Sequence, residues 1–207
     1  VQNSFIDSSV NDVMNAIGGG TLGGVDKITT AELTNINTFT GWGSDFYENG
    51  GNTWIMAGLP HLQLELNLMR TSDNHFEIDD AVDLQLATLD LDGIYTLTQD
   101  IDASVTREWN CISSCTTGTP EYAGFEPIGS YNDRFLGTLD GQQHEIDGLY
   151  MKWDSGDFVA LFEAVGEGAL IKDLGLTSVH IEGGQRLAAL AGYMTGASRV
   201  QNSYSTG

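Results

Sequence analysis

Basic side chains are scarce in this chain: 8 lysines and arginines stand against 29 aspartates and glutamates, for a formal net charge of −21. A field of that sign repels nucleic acid and anionic membrane surfaces, so no nucleic-acid partner is expected. Cysteine is limited to 2 residues, Cys111 and Cys115, with no histidine near them, which leaves too few ligands there for a zinc centre. Proline is limited to 3. No apolar run approaches the roughly 18 residues of a membrane span, and no membrane insertion is expected. The opening residues do not form the charged-then-apolar pattern of a secretory leader.

Glycine is plentiful, with 26 residues, and Thr, Ser, Asn and Asp crowd between short apolar runs. That texture predicts an all-β protein with frequent tight turns and only a minority of helix. The acidity has two readings. One is the solubility of a secreted or salt-exposed surface; the other is divalent-cation binding, with Ca2+ as the ion and Asp79, Asp80 and Asp83 as candidate ligands. No EF-hand loop is present, and a solvated turn is the plain alternative for those three.

The C-terminal third repeats itself. Ile146, Leu149 and Met151 recur 25 residues later as Ile171, Leu174 and Leu176, and these recur 29 residues later as Val200, Ser203 and Ser205. Ala160-Leu161-Phe162 likewise lies 29 residues before Ala189-Leu190-Ala191, with Gly166-Glu167-Gly168 and Gly192 or Gly196 as corner residues. Periods of about 20 to 50 residues mark repeat architectures whose units bury their apolar faces only by stacking. The prediction is a β-solenoid with Ile146, Ile171 and Val200 lying one above another. Val1-Gln2-Asn3-Ser4-Phe5 is also echoed by Val200-Gln201-Asn202-Ser203-Tyr204. The echo suggests one period of a tandem array: residues 1–71 end one unit and form a cap-like segment with one or two short helices, and residues 72–207 form the coil of the next.

Within the first part, residues 9–17 read as a short helix ending at Gly18-Gly19-Gly20. Gly18, Gly20 and Gly23 have the dinucleotide-binding spacing, but strand and helix stand in the wrong order around them, so a loop is expected. Thr29 with Glu32 reads as a capping box. Phe39, Trp42, Phe46, Tyr47 and Trp54 either fill a small core or offer flat faces to sugars. Leu62, Leu64, Leu66 and Leu68 alternate as in a strand, and so do Val82, Leu84 and Leu86. Ile94 to Thr98 reads as a strand, and Ile101 should point inward between Asp100 and Asp102. Cys111 and Cys115 are expected to form a local disulfide, which fits an oxidising, extracellular address. Phe125, Pro127 and Ile128 read as a return to strand.

The succession Leu97-Thr98-Gln99-Asp100-Ile101-Asp102-Ala103, Gly124-Phe125-Glu126-Pro127-Ile128-Gly129, Phe135-Leu136-Gly137-Thr138-Leu139-Asp140-Gly141 and Ala189-Leu190-Ala191-Gly192 resembles the GLUG-motif regions of large filamentous-haemagglutinin-like bacterial surface adhesins. Phe39-Thr40-Gly41-Trp42 with Thr53-Trp54-Ile55-Met56-Ala57-Gly58-Leu59-Pro60 is similar to the segment closing the preceding unit in those proteins. The resemblance implies a right-handed parallel β-helix in a giant secreted or surface-anchored protein with adhesive or structural duties. Ala189 replaces the first glycine of the GLUG tetrapeptide, the earlier copy reads Ala160-Leu161-Phe162-Glu163, and a cysteine-bearing insertion interrupts residues 102–125. The family signature carries no catalytic residues.

Parallel β-helices also host polysaccharide-degrading enzymes. Asp140, Glu145 and Asp147 are the carboxylates such an enzyme would draw on, and His180 and Glu182 share a strand face, but the eight basic residues are scattered singly. No enzymatic activity is expected. The main reading is a non-catalytic extracellular structural or adhesive repeat unit whose partners are neighbouring copies of itself. The alternative is a carbohydrate-binding module that takes surface glycans on exposed Trp42, Trp54, Trp109 and Trp153.

Overall fold

The computed structural model describes residues 4–7, 25–39, 45–49, 51, 53–154, 158–183 and 185–207, with residues 4–7, 25–28 and 49 described by their backbone alone. The described chain is mostly strand, with two short α-helices and several single 3-10 turns. Its strands are short because each apolar run is stopped within a few residues by Gly, Asn, Asp or Ser, and most of them pair in parallel with strands further along the chain, each such interval being one circuit.

Two parallel ladders show this most clearly. In the first, His75–Ile78, Ile94–Leu97, Thr138–Asp140, Leu170–Lys172 and Arg199–Gln201 lie side by side, so that Tyr95, Leu139, Ile171 and Val200 are successive partners. In the second, Ile101–Asp102, Glu145–Asp147, Gly175–Thr177 and Tyr204–Ser205 align Ile101, Ile146, Leu176 and Ser205. Three further parallel pairs join Tyr150–Trp153 to His180–Gly183, Phe158–Val159 to Arg186–Leu187, and Phe162–Val165 to Ala191–Met194. Antiparallel pairs occur too, Trp54–Ala57 with Leu59–Leu62, Arg70–Ser72 with His75–Ile78, and Cys111–Ser113 with Glu121–Tyr122, so the sheets are mixed.

The 29-residue repeat from Ile171 to Val200 and from Phe162 to Ala191 is thus a true register. The 25-residue step is not. Ile146 pairs with Leu176, and Ile171 belongs to the other ladder opposite Leu139. The corner joining the two strands of the earlier circuit carries Gln142 and Gln143, both at positive φ, where the later circuit turns on Asp173 alone. Ile146 belongs to the second ladder and Ile171 to the first, so the 25-residue interval matches adjacent strands of different circuits. Corners recur in space as well: Asp173 and Asn202 both sit in the left-handed region, and the Asn202 Nδ2 donates to Asp173 Oδ1 at 3.0 Å. Gly168 and Gly196 occupy equivalent turns, whereas Gly192 lies within a strand.

Two alternating patterns do not become strands. Leu64 and Leu66 fall in the 3-10 turn Gln63–Asn67, because the Glu65 carboxylate reaches back to the Leu62 N–H at 2.9 Å and to His61 Nδ1 at 2.9 Å, starting a turn there. Only Leu66 enters the core; Leu64 and Leu68 face solvent. Val82, Leu84 and Leu86 lie in the helix Ala81–Leu86, whose first turn is nucleated by Asp80 Oδ1 accepting from the amides of Val82 and Asp83 at 2.8 and 2.9 Å. The helix packs Ala81, Leu84 and Leu86 inward, a face that period-2 reading misassigns. Ile128 re-enters only as an isolated bridge to Phe162, not as a strand. The Thr29 and Glu32 capping box is present at the helix Thr30–Leu33. The helix expected over 9–17 and the glycine run after it lie outside the described residues.

One apolar core runs from Ile55 and Leu66 through Tyr95, Phe135 and Ile146 to Leu176. Inside it, Phe76, Tyr95, Phe135 and Phe162 form a column of rings with successive centroid distances of 5.1, 6.3 and 4.6 Å. A small second cluster holds Phe39, Phe46 and Met56, flanked by Trp54. Among the described residues, no helix is long and apolar enough to cross a membrane.

Candidate functional site

The C-terminal circuit is where burial fails. Val159, Val165 and Ile171 are fully buried, but their partners one circuit on, Leu187, Met194 and Val200, are 50, 38 and 40% exposed. These side chains continue the columns of the core, and no described strand lies on them. Arg199–Gln201 and Tyr204–Ser205 are the outermost strands of their sheets, and no described strand pairs with their outer edges. A recess of about 280 Å³ with mixed polar and apolar walls opens at the same end between Val179, Ile181, Leu187, Ala189 and Ser205. A row of unpaired amides and carbonyls beside uncovered apolar side chains is a template for another strand.

Polar side chains connect the circuits on the outside. Asp140 takes an ion pair from Lys172, its ladder partner. Burial works to raise the Asp140 carboxyl, but Lys172 and the Gln142 amide outweigh it and hold the group below its ordinary range. Asp147 accepts from Thr177 Oγ1 at 2.7 Å, and Glu145 accepts the Tyr204 hydroxyl. The three carboxylates singled out as possible hydrolytic groups are therefore each engaged across the stack. Glu182 accepts from His180 Nε2 at 2.8 Å and lies 3.7 Å from Lys152; His180, then Lys152, lower its carboxyl. The His180 ring stacks on Tyr150, its partner in the neighbouring circuit, at 5.0 Å. Asp100 accepts the Glu145 N–H and His144 Nδ1, both at 3.0 Å, and these lower its carboxyl.

Asp79, Asp80 and Asp83 do come together, with one oxygen from each within 4.8 Å of the others. Asp80 is occupied as the helix cap, and Asp83 Oδ2 accepts the Asp79 N–H at 3.3 Å. Burial, and then the two neighbouring aspartates, raise the Asp83 carboxyl to about 6. The trio is thus explained by the helix start, though its oxygens are close enough to share a cation.

The three described tryptophans do not form a common face. Trp42 lies outside the described residues. Trp109 is buried, stacked on Phe125 with centroids 6.3 Å apart and lying against Gly58, so it cannot meet a sugar without opening the core. Trp54 is half-buried on the small cluster. Trp153 is half-buried, and its indole N–H donates to the Phe125 carbonyl at 2.8 Å. Cys111 and Cys115 are disulfide-bonded. The bridged loop also holds the segment before it: Asn35 Nδ2 lies 3.1 Å from Cys115 Sγ, and the Cys111 N–H donates to the Thr34 carbonyl at 3.0 Å.

Sequence reasoning missed Tyr204 with Glu145, and Leu187 with Met194. The 29-residue interval itself was the signal that could have found the second pair, since it carries Val165 to Met194 and Val159 to within one position of Leu187.

No family model matches the chain, and no solved structure matches it. It is 32% identical to Halomucin of Haloquadratum walsbyi over 137 residues, covering 62% of this chain. It is also 32% identical over 104 residues, 49% of this chain, to a Gly-rich membrane protein of Evansella cellulosilytica. The aligned regions span about 1% and 10% of the length of those two proteins.

Proposed function

We propose that the chain is a non-catalytic structural unit of a large extracellular surface protein, wound as a right-handed parallel β-helix and stacked end to end with further copies of itself. The observation that carries this reading is the uncovered final circuit: Leu187, Met194 and Val200 are exposed where every preceding member of their columns is sealed. The repeated pentapeptide supports it. The first copy leads into Ser4–Asp7, which pairs in parallel with Val25–Ile28, so the equivalent residues after Val200 have a ready strand partner about 20 residues further along a tandem chain. The two similar proteins, one named Halomucin and one a membrane protein, agree with a surface location, and each is many times longer than the aligned region. An adhesive role of the GLUG type is the finer form of the same proposal.

The test joins two copies head to tail and compares their urea and thermal unfolding with the single chain. Coupled units unfold together at a higher midpoint. Val200→Asp, at a position already exposed in one copy, should abolish the gain while leaving the single chain nearly unchanged. Two copies that unfold independently at the single-chain midpoint would sink the proposal.

A further inference from the structure

A cavity of about 360 Å³ opens beside Phe158, the ladder partner of Arg186. Four acidic residues line it, Glu48, Glu126, Asp133 and Glu163, together with the rings of Tyr47, Trp153 and Phe158. No lysine or arginine is among the described lining residues. The acids come from distant parts of the sequence and are fixed by backbone contacts. Glu48 Oε1 accepts the Met56 N–H at 2.8 Å, while its Oε2 is enclosed and has no donor among the described residues. Glu163 Oε1 accepts the Tyr131 N–H at 3.0 Å. Glu126 is clamped at its backbone by the buried Gln85 amide, which donates to its carbonyl at 3.0 Å and accepts its N–H at 2.9 Å. That clamp leaves the Glu126 carboxyl deeply set against Glu48 and Glu163, and no described residue donates to it. Burial, then the Glu48 and Glu163 charges, raise it to about 7.

Carboxylates without donors are expensive to enclose, and none of the four acids makes a salt bridge with a described lysine or arginine; the nearby Arg186 guanidinium is spent over the Phe158 ring at 4.7 Å. A bound cation relieves both costs. A single metal ion fits the geometry poorly: among the described residues the acidic group whose ligand oxygens converge within 4.8 Å is Asp79, Asp80 and Asp83, not this one. Separated carboxylates with aromatic walls suit an elongated cation, because ammonium groups bind carboxylates and ring faces while methylenes cover the apolar surface.

We propose that this cavity binds a small aliphatic polyamine, with one ammonium group held at Glu126, a second near Glu163, and the carbon chain against Trp153. The experiment titrates spermidine into the whole chain at physiological salt, following heat and tryptophan fluorescence. One saturable site is expected, weakened at least about tenfold by either Glu126→Gln or Glu163→Gln, the loss of one charge-assisted contact. Glu182→Gln, on the outer surface, should leave it unchanged. Using two separate variants guards against one failing to fold, which circular dichroism checks. Binding of equal strength in both folded cavity variants would mean general condensation on a polyanion and would overturn the proposal. So would displacement of spermidine by equimolar Ca2+, which would make the site a metal site.

Discussion

The Tyr204 hydroxyl donates to the Glu145 carboxylate by passing over Gly175, the residue that lies between them in the ladder. A side chain on Gly175 would collide: a Cβ there would stand 2.8 Å from the Tyr204 ring and 2.9 Å from Glu145 Cγ. The acceptor charge holds the Tyr204 phenol above its ordinary pKa. Gly175→Ala should therefore destabilise the chain by about 1–3 kcal/mol through overpacking. Tyr204→Phe, which removes only a solvent-exposed hydrogen bond, should do less. Urea midpoints of the two variants check the order.

Phe135 sits in the ring column between Tyr95 and Phe162 and is fully buried. Phe135→Ala should cost about 3–5 kcal/mol, since closely stacked circuits have little freedom to collapse into the void. Phe135→Leu should cost less than half of that. Equal losses in chemical denaturation would show that packing in the column is loose.

Stability should depend on pH from both sides. Glu126 rises from an ordinary 4.5 to about 7, and Asp83 from 3.8 to about 6, so across that window the folded chain binds more protons than the unfolded one. Their effect is a loss of stability as pH rises from about 4 to 7, complete above it. Asp100, Asp102, Asp140 and Glu182 are lowered, and their contribution fades as pH falls below the ordinary carboxylate range. Glu126→Gln should raise stability at pH 8 by up to about 3 kcal/mol and change it little at pH 4. A gain of the same size at both pH values would contradict the burial of that carboxyl.

The Cys111 and Cys115 bridge closes a very short loop, so its effect on the unfolded chain is at most about 2 kcal/mol. Its contacts with Asn35 and the Thr34 backbone give it a local role. Reduction should speed amide exchange at Cys111 and Thr34 while amides of the ladder at Leu139 and Ile171 stay protected. Faster exchange throughout would mean that the bridge supports the whole fold.

How far the sequence disclosed this arrangement depended on whether neighbouring circuits are equally long. From Ile171 to Val200 and from Leu176 to Ser205 the interval is the same, and the register could be read directly. One circuit earlier the intervals differ, 32 residues from Leu139 to Ile171 and 30 from Ile146 to Leu176, and the false 25-residue period pairs Ile146 with Ile171 across two ladders. Alternation misled at Val82, Leu84 and Leu86 because an aspartate cap overrode it. The disulfide was legible from two cysteines alone. The acidic cavity was not, since Glu48, Glu126 and Glu163 meet only through folding, and nothing local marks Gln85 as the clamp that sets Glu126.

The false period has a physical counterpart of its own. Tyr95 to Leu139 takes 44 residues, Leu139 to Ile171 takes 32 and Ile171 to Val200 takes 29, yet all four remain adjacent. Length variation is absorbed in the bends and excursions, including the one that holds the disulfide, while hydrogen-bonded positions keep their alignment. Insertions placed at residues 142–143 or 112–120 should leave the strands where they are, whereas a single residue added inside Thr138–Asp140 would turn Leu139 toward water and misalign the circuits on either side.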